Sequence, residues 1–152
     1  MTYCSQKGLL NYIYQERMNL VEKSIFKVID WHEEFTIEEK IAHAKATYKI
    51  EGALTGQIQV DYSIYYLNYN KEEIHASSSR FEGFMLFEGN IGEKQGSFVL
   101  YDRGSFINNQ YEANVSIVKG SGTGEFFDIS GEGTYYPAND GMLLELKTNI
   151  GE

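Results

Sequence analysis

The chain has 152 residues, a formal net charge of −9 and an isoelectric point near 4.8, which fits one domain with a single core. No run of Lys or Arg offers a stripe for a phosphate backbone or an anionic bilayer, so neither nucleic acid nor membrane is an expected partner. One cysteine, Cys4, excludes an internal disulfide, and neither a secretory signal nor a bilayer-length apolar run is seen, so a cytoplasmic protein is expected.

Twelve Tyr and nine Phe against one Pro favour β-sheet over helix. Residues 1–22 stand apart as an extension. Leu9, Ile13 and Leu20, joined by Leu10, Tyr14 and Val21, recur near helical spacing and predict a short amphipathic helix. Residues 23–152 read as one β domain. Ile25, Phe26, Val28 and Ile29 open it. In the following segment Trp31, Glu33 and Phe35 share one face of an extended chain, and Asp30, His32 and Glu34 share the other. A charged loop or single helical turn is expected from Thr36 to Lys40.

The alternation then becomes regular. Ala46, Tyr48 and Ile50 oppose Lys45, Thr47 and Lys49, and Ile58, Val60, Tyr62, Ile64 and Tyr66 oppose Gln57, Gln59, Asp61, Ser63 and Tyr65, as in half-buried antiparallel strands. A polar loop at Tyr69–Glu73 precedes a strand running to Phe87 that is apolar on both faces from Phe81 onward. Ser97–Asp102 and the alternating Tyr111, Ala113, Val115 and Ile117 supply further strands, and Met142–Lys147 closes the domain. About eight strands joined by Gly and Asn turns predict an all-β antiparallel barrel or a sandwich.

Between the last two predicted strand regions, Val115 to Tyr136 contains Gly120, Gly122, Gly124, Gly131 and Gly133. A phosphate-binding loop needs a Lys-Ser/Thr pair and a helix behind its glycines, whereas here Glu125 follows, then Phe126 and Phe127. Glycine in strand-like sequence instead marks a bulge, a barrel corner or a close backbone approach. The pattern Gly120-Ser121-Gly122-Thr123-Gly124-Glu125 resembles the signature of the bacterial DUF3224 family, a domain of unknown function. Asp30–Phe35, Arg80-Phe81-Glu82-Gly83 and Gly96-Ser97-Phe98-Val99-Leu100 with Gly104-Ser105-Phe106 resemble further pieces of that family in the right order. The resemblance spans about Ser24 to Ile150 and implies a closed barrel similar to allene oxide cyclase and the lipocalins. The chain departs from the family pattern at Asp102, where the family often has histidine, and in its N-terminal extension.

Three constellations bear on function. Asp30, His32 and Glu34 have the donor types of a zinc or manganese site. No second cluster of His or Cys supports them, so neither metal nor cofactor is expected, and a solvated strand end is the simpler reading. Glu33, between Trp31 and Phe35, is a candidate catalytic carboxylate in an apolar cage, either acting as general acid or base or paired with Arg80. Trp31, Tyr48, Tyr62, Tyr66, Arg80, Tyr101 and Tyr111 are candidates for the wall of an internal cavity, since tyrosine joins an apolar body to a polar tip. The alternative is that these rings simply fill the barrel. The leading expectation is a binder of a small, mostly apolar ligand. A cyclase or isomerase moving a proton inside the barrel is the second. A homo-oligomeric interaction protein with a filled barrel is the third.

Overall fold

The computed structural model describes residues 21–150. The helix expected within residues 1–22 falls outside the described residues, and Val21 and Glu22 already belong to the first strand. Strands run in the order β1 (Val21–Ile37), β2 (Ile41–Gly52), β3 (Leu54–Asn68), β4 (Ser78–Ile91), β5 (Lys94–Ile107), β6 (Gln110–Ile117), the two-residue β7 (Thr123–Gly124), β8 (Ile129–Ala138) and β9 (Gly141–Ile150). A 3₁₀ turn at Ile74–Ala76 precedes β4. Each long strand pairs antiparallel with the next, and β9 returns to β1. Eight strands therefore close an up-and-down barrel, with β7 added on β5. A closed barrel, not a sandwich, is the architecture that these strands adopt.

Period-two alternation decides what lies inside. On β2, Ala42, Ala44, Ala46, Tyr48 and Ile50 are buried, and Lys45, Lys49 and their neighbours face out; on β3 the buried set is Leu54, Ile58, Val60, Tyr62, Ile64 and Tyr66. On β4 and β5, Met85, Phe87, Phe98, Leu100 and Asp102 point inward. One end of the barrel is packed solid around Phe87, Phe98 and Phe126, whose neighbouring rings lie 5.0 and 5.4 Å apart.

The glycine-rich stretch closes that end. Only Thr123 and Gly124 of its first three-glycine run pair as strand; the rest folds back so that Phe126 enters the core fully buried. Ser121 Oγ donates to the Val118 carbonyl at 2.6 Å and accepts from the Val99 amide at 3.0 Å. Glu125 Oε1 accepts from the Gln95 amide at 3.1 Å. A Cβ on Gly122 would lie 1.7 Å from the Phe126 carbonyl oxygen, so only glycine permits that fold-back. Close backbone approach is thus the reason for glycine here, in a plug rather than in a bent strand.

The opposite end is a mouth. β1 pairs with β9 only over Val21–Phe26, while β6 pairs with β8 over Ala113–Ser116. Beyond those limits β1 continues to Ile37 against β2 alone, with no partner on its other edge among the described residues. A register shift between Val28 and Asp30 makes Ile29 the extra residue of a β-bulge. Ser24 and Phe26 are buried before it; after it, inward parity passes to the odd positions, and Trp31, Glu33 and Phe35 turn toward the mouth.

Candidate functional site

The mouth encloses a cavity of about 380 Å³. Its volume has a cause in the register. Ala46, Ala44 and Ala42 on β2 lie between Trp31, Glu33 and Phe35 on β1 and Val60, Tyr62 and Ile64 on β3. Three methyl side chains in this row leave space that larger residues would fill. Trp31, Tyr48, Tyr62, Tyr66 and Tyr111, all expected to line the interior, surround this cavity together with Phe81 and Phe106. The rings form a continuous wall, with Trp31–Tyr62 at 5.9 Å, Tyr62–Phe81 at 5.7 Å and Phe81–Tyr111 at 5.8 Å between centroids.

Glu33 lines the cavity at its rim and is half-buried. Its Oε1 accepts from Trp31 Nε1 at 3.1 Å and its Oε2 from the Tyr66 hydroxyl at 2.5 Å. Burial, then the bond to Glu33, raises the Tyr66 phenol well above its ordinary range. Arg80 is not its partner. Arg80 and Tyr101 occupy positions whose parity sends them to the outer surface, where they line a more open groove of about 570 Å³ with Glu82 and Arg103. The Tyr101 hydroxyl donates to Glu82 at 2.6 Å and the Arg103 guanidinium lies 5.7 Å from the Tyr101 ring. Both residues are thereby removed from the cavity wall. Asp30, His32 and Glu34 project from the exposed face of β1, and no group of three or more His, Cys, Asp or Glu converges among the described residues.

The carboxylate in the apolar interior is Asp102. It is fully buried, and its Oδ2 accepts from the hydroxyls of Tyr62 at 3.0 Å and Tyr135 at 2.7 Å, while its Oδ1 has no partner among the described residues. Tyr62, Gly83 and Asp102 are consecutive cross-strand neighbours. The Tyr62 ring lies over Gly83, where a Cβ would come within 3.0 Å of it, and so reaches the acid one strand further on. Burial pushes the Asp102 carboxyl up to about 6, against the opposing pull of the two phenols. Burial raises the Tyr48 phenol to about 12 and raises that of Tyr111, and the charge of Asp102 adds to both. Behind the cavity wall, phenols therefore surround one buried carboxylate, which Tyr62 connects to the cavity. Its sequence signal was parity: Phe98, Leu100 and Asp102 share a face. The plug residues Gly120–Glu125 lie in the closing loop, and Glu125 binds the β5 backbone there.

Residues 22–147 match the sequence model of a family described as protein of unknown function, DUF3224. A DUF3224 protein of unknown function from Shewanella oneidensis MR-1 has a similar crystal structure, with a TM-score of 0.73 and 18% identity over 88% of this chain and 98% of that one. At that identity the likeness is one of fold. No curated protein matches the chain.

Proposed function

The chain belongs to the DUF3224 family, and from that premise we propose that it binds a small, mostly apolar molecule in the mouth of its barrel. The observation that carries this reading is the cavity itself: about 380 Å³, with seven aromatic residues in its wall and a few polar tips among them. Small-molecule sites run from about 300 to 1,000 Å³ and combine apolar walls with sparse polar groups in this way. A barrel that only needed to be stable would fill the row opposite Ala42, Ala44 and Ala46, as its other end is filled. Trp31 is the only tryptophan in the chain and stands on the cavity wall, 44% exposed. Native mass spectrometry of gently purified protein is expected to show a mass excess that disappears on denaturation, and adding the released compound back should shift Trp31 emission to the blue. A bare protein whose Trp31 emission no extracted compound moves would sink the reading.

Asp102 supports a second reading, proton transfer to or from the bound molecule. A carboxyl poised near 6 and joined to the cavity through the Tyr62 hydroxyl is suited to general acid–base work, in the role first expected of Glu33. The released compound incubated with protein in D2O should then gain carbon-bound deuterium with wild type and not with Asp102→Asn. No exchange with either protein would leave binding alone.

A further inference from the structure

We propose that the molecule held in the barrel mouth is a hydrophobic organic cation, a protonated or quaternary amine on an apolar body, with the carboxylates of Glu33 and Asp102 as its counter-charges. This rests on the reading of the cavity as a ligand site and adds the sign of the ligand's charge.

Three donors of the wall are already engaged by carboxylates. Trp31 Nε1 and the Tyr66 hydroxyl both donate to Glu33, and the Tyr62 hydroxyl donates to Asp102. What these groups leave free toward the cavity is phenolic lone pairs and ring faces, both of which are electronegative. Among the described side chains no Lys, Arg or His lines the cavity, and Arg80 and Arg103 lie on the outer groove. An anionic head group would meet the Glu33 carboxylate, with Asp102 buried behind Tyr62, and no basic group among the described side chains.

A cation meets the reverse situation. Aromatic faces attract a positive charge within about 6 Å of the ring centre, more strongly when the site is desolvated. Trp31 on β1, Tyr66 on β3, Phe81 on β4 and Tyr111 on β6 together form the walls of a cage. Asp102 adds a second, deeper source of negative potential. Its Oδ1 has no hydrogen-bond partner among the described residues, and a positive charge in the cavity above Tyr62 would attract it through space. The net charge of −9 adds a long-range bias of the same sign.

Trp31 emission provides the test, with three probes of one size: benzyltrimethylammonium, its neutral isostere neopentylbenzene, and the anion 3-phenylpropanoate. The cation is expected to bind at least about tenfold tighter than the neutral isostere, a gap within the range of desolvated cation–aromatic contacts, and the anion weakest. Glu33→Gln, a rim substitution on a half-buried side chain, should narrow the gap several-fold. Asp102→Asn should narrow it too, and because the Glu33 variant does not touch the core, the outcome stands even if the Asp102 variant fails to fold. Equal affinity for cation and neutral isostere, or a tighter anion, would overturn the charge assignment and leave the ligand site standing. No response to any of the three would overturn both.

Discussion

Asp102 is the residue whose presence inside the barrel most requires a reason. A fully buried carboxylate with one oxygen unpartnered among the described residues lowers stability at neutral pH, and the direction is fixed by its titration. In the unfolded chain the group titrates near 3.8; in the folded chain burial holds the proton until about 6. Below pH 3.8 both states are protonated and the group's contribution is fully present. As pH rises toward 6 the unfolded chain releases its proton while the folded one keeps it, so stability falls; above 6 the whole loss is felt. The interval corresponds to roughly 3 kcal/mol, an upper figure for a single acid. Asp102→Asn removes this slope, so urea unfolding of wild type and variant, compared at pH 4 and pH 7, should show the variant gaining on the order of 2–3 kcal/mol relative to wild type across the interval. Parallel stability curves would mean that Asp102 is not buried as a free acid.

At the scale of elements, two short irregularities set the whole arrangement: the bulge at Ile29 and the plug around Gly122. Gly122→Ala would drive a Cβ into the Phe126 carbonyl, displacing the ring that closes the barrel. We expect a loss on the order of 3–5 kcal/mol, similar to Phe126→Ala, with the two substitutions combined costing little more than either alone, since both empty the same space. Additive losses in thermal or urea unfolding would refute that coupling. These elements also show where sequence reading succeeds and where it stops. Strands β2, β3 and β6 alternate cleanly, so Tyr48, Tyr62, Tyr66 and Tyr111 could be placed inward from period two alone. Period two puts Trp31, Glu33 and Phe35 on one shared face, but nothing in the sequence declares that a bulge at Ile29 turns that face to the mouth. On β4 and β5, apolar residues occupy both faces, with Phe84 and Tyr101 outside and Met85 and Leu100 inside. Hydrophobicity could not choose the parity there. Period two alone therefore leaves Arg80 and Tyr101 as interior candidates and, by the same parity, sends Asp102, a charge, to solvent.

For the whole molecule, the consequence is a barrel divided between a packed end and a hollow end. The packed end holds Phe87, Phe98 and Phe126 with no exposed surface, while the mouth holds rings that touch one another around a void and a first strand whose outer edge has no partner among the described residues. Stability and binding should accordingly separate along the barrel axis. Phe87→Ala empties a filled site and should cost about 3–5 kcal/mol, while leaving the mouth rings in place. Phe106→Ala enlarges a space that is already open and should cost less than about 1.5 kcal/mol. It removes one wall of the cage, however, and should weaken the benzyltrimethylammonium response of Trp31 several-fold. Urea unfolding and Trp31 titration of the same two variants provide the comparison. If Phe106→Ala destabilised the protein as much as Phe87→Ala, the mouth would be core rather than site, because a residue that stabilises chiefly by packing cannot also border a cavity kept open for a ligand.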